Sequence, residues 1–329
     1  MNKRIKGAGQ GKLPGFYACR EKDRKSSMGK KKQKILAVLL VCIGVTCMLY
    51  PWFSNWLYSN SIDSKVEVYE KQTENTDQAE LEDILQKAEL YNQKLAQSRV
   101  ALTDPFELVD AGGKNDISYE STLDLDGSGL MCFVEITKVD VYLPVYHGTS
   151  AEVLGKGAGH LEGSALPVGG IGNRPVISAH TGVNASKMFS DLTELEKGDL
   201  FFIHVLDEVL AYRVCEIQVI LPEDTNSLVA ENGRDLVSLL TCTPYGVNTH
   251  RLVVTGERTE YSEPILAEAQ EERKDTGESQ WMQAYKKALL ISAVSILAVS
   301  VSVKGWHVPV DRSDVLCRLW FQNVCSSGK

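Results

Sequence analysis

The sequence predicts a mainly β domain, a closed barrel or sandwich of seven or eight short strands, with apolar segments on either side. Three observations predict it. From about Met131 the chain breaks into short β-rich runs separated by turn residues. A charge-free run from Ile35 to Tyr50 follows a strongly basic tail. Between the two lies a charged stretch with helical periodicity.

The elements follow in chain order. Residues 1–34 carry twelve Lys/Arg against two Asp/Glu, a net of +10 in a chain whose total is −8. A basic arm can bind nucleic acid, but this one abuts an apolar segment, which points to a membrane surface and away from nucleic acid. The segment 35–57 is about long enough to span a bilayer, which takes roughly 20 residues. Tyr50, Trp52, Trp56 and Tyr58 suit the far interface. No small-x-small cleavage site follows, so the segment reads as an anchor, not a removed signal peptide. The basic side then faces the cytoplasm and everything after Asn60 lies outside.

Residues 60–100 form a helical region. Within it, Leu81, Ile84, Leu85, Ala88, Tyr91 and Leu95 make one apolar stripe, suited to packing on the chain's own domain. Residues 101–112 are a loop, and 113–262 are the β domain. Candidate strands are Met131–Ile136, Val139–Tyr146, Pro175–Ser178, Leu200–Leu206, Val209–Leu221, Leu236–Cys242 and Arg251–Glu257, with a helical turn or two in Ser186–Leu195. A linker at 263–287 leads to a second apolar run, 288–303, which is short for a span but is expected to form a second transmembrane helix. Lys286 and Lys287 on its outer side fit the positive-inside tendency poorly. Residues 304–329 form a C-terminal tail.

Of the eight cysteines, Cys132, Cys215 and Cys242 fall in the β domain. No Cys or His pair has metal-ligand spacing, so no metal and no cofactor is expected. Cys132 and Cys215 sit in apolar, strand-like surroundings and read as small buried hydrophobes, with a disulfide between them as the alternative. Cys242 is different. It ends an apolar strand in SLLTCTPYGVNTHRLVV, a turn-rich connection follows, and Arg251 opens the next strand. That layout can place a thiol nucleophile and an oxyanion partner over one cleft. His180, in VISAHTGVNASKMF, follows a short strand and can shuttle protons. His250 is nearer Cys242 in sequence, but alternation turns it away if Arg251 faces the cleft. Arg251 stays protonated and cannot act as base, so its role would be to donate hydrogen bonds.

The stretch Leu239–Leu252 resembles the signature of the sortases, the cysteine transpeptidases of Gram-positive cell surfaces, and within them class C, the pilin polymerases. Ser238 stands where the motif usually has threonine. Ala179 replaces the glycine of a Ser-Gly-His-Thr-Gly motif but leaves His180 in place. The resemblance covers roughly Asp104 to Arg258 and implies an eight-stranded β-barrel. It implies Cys242 as nucleophile, His180 as proton shuttle and Arg251 as catalytic arginine. It also implies a lid at Asp104, Pro105 and Phe106, with Asp104 paired to Arg251 and Phe106 over Cys242. A plain Asp-Pro turn is the simpler reading of that triplet.

The implied reaction is cleavage of a Leu-Pro-x-Thr-Gly-like sorting signal through a thioester, followed by transfer to a pilin lysine. The implied partners are pilin or surface-protein substrates and the lipid bilayer. Alternatives are a sortase that anchors proteins to a cell-wall amine, a plain cysteine hydrolase, and a non-enzymatic tethered scaffold.

Overall fold

The computed structural model of the chain describes residues 15–98, 102–106, 117–181, 187–262, 264–265, 267–269, 271 and 285–296. The expectations for residues 1–14, 107–116, 272–284 and 297–329 lie outside the described residues. The described residues fall into two compact units, one within residues 1–63 and the other within residues 64–329.

Helix α1 runs from Gly15 to Asn75, without a break at 57–60 between the apolar segment and the polar residues that follow. The reason is local: no glycine or proline lies between Trp52 and Asn75, so nothing interrupts the hydrogen-bond ladder there. Among the described residues, Val38–Asn75 is the stretch long and apolar enough to cross a membrane. The helical region is divided in two: α1 ends at Asn75, and α2 spans Gln78–Gln97 behind an extended Asp77. Side-chain hydroxyls of Thr73 and Thr76 bond back to the carbonyls of Tyr69 and Gln72, a pattern that competes with the helix near its end.

In the second unit, Tyr69 of α1 is buried against Phe133 with ring centroids 5.4 Å apart. Its hydroxyl donates to the Met131 carbonyl (3.1 Å) and accepts from the Leu206 amide (2.9 Å). Helix α2 buries Leu81 and Ala88 of its apolar stripe, with Ile84, Leu85, Tyr91 and Leu95 half-buried. Asn92 is buried beside them and exchanges two bonds with the backbone of Leu166, at 3.1 and 2.7 Å. A short helix α3, Ile117–Glu120, follows.

The barrel has eight strands: β1 Leu130–Ile136, β2 Val141–His147, β3 Ala158–His160, β4 Val176–Ser178, β5 Leu200–Val205, β6 Glu208–Ile220, β7 Leu236–Thr243 and β8 His250–Thr259. Its closed order is β1-β2-β3-β4-β7-β8-β6-β5. β2–β3 and β4–β7 are parallel; the other neighbours are antiparallel. Closure leaves no free sheet edge. Seven strands match the expected runs to within a few residues. The start of the second is displaced, because Thr137–Val139 forms a 3-10 turn and Asp140 takes a left-handed conformation (φ 51°). β3 was not anticipated. It is three residues long and centred on Gly159, where an added Cβ would collide with the Gly148 carbonyl. Of the helical turns predicted in Ser186–Leu195, one is present among the described residues, the 3-10 turn Leu192–Glu194.

β7 is buried along seven of its eight residues, on both faces. One face carries Val237, Leu239 and Thr241. The other carries Leu240 in a cluster with Leu161, Val176, Ile220, Leu228 and Val253. This second face is a groove floor made by β4, β7, β8 and β6, and it carries the site.

Candidate active site

Strand pairing assembles the candidate residues into one row. Cys242 on β7 is directly opposite Arg251 on β8, and Arg251 is opposite Ile220 on β6. Opposed residues in a ladder share a face. On the other side, β4 runs parallel to β7 with Ser178 level with Leu240. The pairing continues past the strand end, because the Ala179 amide donates to the Leu240 carbonyl at 3.1 Å. Two further residues bring His180 level with Cys242. The row across β4, β7, β8 and β6 is therefore His180, Cys242, Arg251, Ile220.

Thr241 locks this arrangement. It is buried, and its hydroxyl donates to the Ala179 carbonyl at 2.7 Å, tying the residue before His180 to the residue before Cys242. Ala179 is fully buried, so its methyl is accommodated in place of the glycine of the motif. The His180 carbonyl accepts from the Phe189 amide at 3.1 Å. His250 is opposite Thr243, on the alternate face, with its Nδ1 2.9 Å from the Thr249 hydroxyl. It is turned away from the row as alternation requires.

Asp104 closes over the row. Its carboxylate accepts from Arg251 Nε at 2.8 Å and Nη2 at 2.6 Å, a two-pronged ion pair. Arg251 Nη1 donates to the carbonyls of Asn248 (3.0 Å) and His250 (3.1 Å). Asn248 is left-handed (φ 61°) in the β7–β8 connection. The Phe106 ring lies 5.8 Å from the His180 ring centroid and 5.2 Å from the Arg251 guanidinium carbon. These are the two residues that flank Cys242. Pro105 is buried, and Leu102 and Phe106 pack on the apolar groove cluster. Cys242, Arg251 and Asp104 are 8%, 7% and 9% exposed, so the thiol is shielded from solvent in this closed arrangement.

Burial pushes the Cys242 thiol above its ordinary range; Arg251 pulls it down and Asp104 pushes it up. Burial also lowers His180. Both shifts favour the neutral thiol and neutral imidazole at pH 7. Asp104 therefore does two things electrostatically: it occupies the guanidinium and it adds negative charge beside the thiol. Among the described residues no group of three or more His, Cys, Asp or Glu could hold a metal ion.

The other cysteines of the β domain are free. Cys132 is fully buried and its thiol is raised by desolvation. Cys215 is half-buried, a departure from its expected burial. It sits at the bulge between Val214 and Glu216, where its Sγ meets the Thr255 carbonyl and Arg234 Nη2. His147, His160 and His204 lie in other networks. Sequence reasoning missed Leu102 and Thr241. Leu102 is an apolar residue two positions before the Asp-Pro-Phe triplet, and Thr241 sits within the cysteine motif, so each had a weak signal.

Residues 134–259 match the sortase domain family. Among curated proteins, sortase A of Listeria monocytogenes is 25% identical over 68% of this chain and 90% of its own length. Sortase D of Bacillus subtilis is 28% identical over 44% of this chain and 70% of its own. Among solved structures, sortase C-1 of Actinomyces oris is 42% identical, with a TM-score of 0.52, over 55% of this chain and 99% of that one. Sortase C of Streptococcus pneumoniae, described in terms of catalysis and pilin substrate specificity, is 38% identical with a TM-score of 0.54 over 61% and 100%. Sortase C1 of Streptococcus agalactiae is 36% identical with a TM-score of 0.56 over 60% and 100%.

Proposed function

The chain belongs to the sortase family of cysteine transpeptidases, with class C sortases as its structural neighbours, and on that premise we propose that it polymerises pilins. The observation that carries this reading is the row His180, Cys242, Arg251 on three adjacent strands, capped by the Asp104–Arg251 ion pair. A lid of this kind covers the thiol until a substrate displaces it.

In the proposed cycle the lid swings away and an extended sorting segment, Leu-Pro-x-Thr-Gly-like, enters the groove. His180, neutral at rest, takes the Cys242 proton as Sγ attacks the carbonyl of the Thr-Gly bond. Arg251, released from Asp104, donates to the developing oxyanion. The C–N bond breaks, His180 returns the proton to the departing amine, and the acyl group stays on sulfur as a thioester. A lysine amine of a pilin subunit then attacks. Its proton passes to His180, the C–S bond breaks, and an isopeptide bond forms while Cys242 regains its proton. The thioester conserves the acyl energy, so the transfer needs no further energy source.

The proposed topology places residues 1–34 in the cytoplasm, 35–57 in the membrane and the barrel outside. The apolar part of α1 and the basic residues before it support this.

The test uses the full chain in lipid nanodiscs, as the native sequence and as Asp104→Ala, with a Leu-Pro-x-Thr-Gly peptide and a lysine-bearing pilin domain. Intact masses are read, with Cys242→Ala as control. An acyl adduct on Cys242 and a peptide–pilin isopeptide product are expected. An adduct that resolves only to hydrolysed peptide would replace the reading with a hydrolase, and exclusive transfer to a supplied cell-wall amine would replace it with an anchoring sortase.

A further inference from the structure

Ser178 lies one tier below the catalytic row. It is level with Leu240, two residues before His180, and therefore on the groove face that carries Cys242 and Arg251. Its neighbours on that face, Val176 and Leu240, belong to the apolar cluster on which Leu102 and Phe106 of the lid pack. The side chain is fully buried, and its hydroxyl has no hydrogen-bond partner among the described residues. Buried hydroxyls are almost always bonded, and an exception calls for a reason. The other such side chain, Asp191, is offset by the ammonium of Lys187 at 3.0 Å. Ser178 has no such offset. The cluster residues on its face are aliphatic, an arrangement that favours alanine unless something polar arrives when the lid leaves.

We infer that Ser178 is a specificity-determining residue that hydrogen-bonds the side-chain hydroxyl of the substrate residue whose carbonyl Cys242 attacks. Three geometric facts carry this. The hydroxyl is on the groove face. It is two strand residues, about 6.6 Å, from the level of Cys242, a span bridged by the Cα–Cβ–O arm of the attacked residue on one side and the serine arm on the other. The cluster residues beside it, Val176, Leu240 and Val253, are aliphatic and offer a hydroxyl no partner at this tier. The same logic gives discrimination: a site that bonds a hydroxyl leaves a buried polar group unpaired when a substrate lacks one. The lid, which offers Leu102 and Phe106 to this groove, leaves Ser178 unsatisfied, so a hydroxyl-bearing substrate has an advantage over the lid at this position.

The inference rests on the proposed acyl transfer, and a double-mutant cycle separates the two. Full-length protein in nanodiscs, native and Ser178→Ala, is assayed with Leu-Pro-x-Thr-Gly and with the near-isosteric Leu-Pro-x-Val-Gly peptide, reading the rate of acyl adduct formation on Cys242. The native protein prefers threonine over valine, and in Ser178→Ala that preference falls about fivefold to tenfold, the worth of one hydrogen bond. Adduct formation with the valine peptide stays the same or rises. The melting temperature of Ser178→Ala does not fall, because no internal bond is lost. An unchanged threonine preference in Ser178→Ala overturns the inference while leaving the transferase reading intact. Absence of any adduct in the native protein with either peptide overturns both. A drop in melting temperature of several degrees, together with equal losses for both peptides, shows a structural role and overturns the inference.

Discussion

Replacing Asp104 with alanine should convert a shielded thiol into a reactive one. The carboxylate makes two charge-assisted bonds to Arg251, at 2.8 and 2.6 Å, with both side chains under a tenth exposed. Bonds to charged groups contribute about 1.5–3 kcal/mol each, and stranding a buried charge costs about 3–5 kcal/mol. The full penalty does not apply, because Arg251 keeps the carbonyls of Asn248 and His250 and gains water once the lid lifts. The closing free energy lost is then about 2–3 kcal/mol. At tenfold per 1.4 kcal/mol, the open fraction and hence the labelling rate rise about 30- to 140-fold. The chemistry adds in the same direction. Burial and Asp104 both hold the Cys242 thiol up, so opening the lid and removing that carboxylate both raise the thiolate fraction at neutral pH. The assay is pseudo-first-order alkylation of the full chain, followed on the Cys242 peptide by mass spectrometry. Cys132, fully buried elsewhere in the barrel, is the internal reference. Labelling of Asp104→Ala within twofold of the native rate would refute the argument, because it would mean that the ion pair does not limit access.

The other predictions are smaller. Thr241→Val keeps shape but deletes the bond to the Ala179 carbonyl, so stability falls by about 1 kcal/mol; kcat falls about ten- to hundredfold through a displaced His180, with KM nearly unchanged, in steady-state kinetics. His160 is fully buried and lowered to about 4 by desolvation, so the unfolded chain binds its proton first as pH falls. Stability from this group is present above about 6.5 and is lost as pH falls toward 4, about 3 kcal/mol in all; His160→Gln should flatten that limb in denaturant titrations at pH 7 and pH 4.5. Asn92→Ala strands the amide and carbonyl of Leu166, and a loss of about 2 kcal/mol is expected by thermal unfolding.

How much of this was legible in sequence depends on the range of the interaction. Seven strands were readable because alternation and turn residues are local signals, and β7 was readable as a continuous apolar run because both its faces are buried. β3 was not, since three residues around a glycine carry no period. The division of the helical region at Thr76–Asp77 also escaped notice, because both halves have helix-forming composition and the interruption depends on side-chain hydroxyls bonding the backbone. Asn92 is polar on an apolar stripe, and its value lies in the loop it reaches, 74 residues away.

The sequence by itself determined which residues are the candidates for the site, the class of chemistry they suit, and the alternation that turns His250 away from Arg251. Those follow from residue type and from the two-residue period of a strand. Only the tertiary structure decided that they meet. His180 and Cys242 become level because β4 pairs in parallel with β7, and Asp104 reaches Arg251 across 147 residues of chain. Register and strand order are set by the packing of the whole barrel, since a slip of one residue would turn each side chain to the opposite face. The unpaired hydroxyl of Ser178 belongs to the same category: whether a serine is satisfied depends on what surrounds it once the chain has closed on itself.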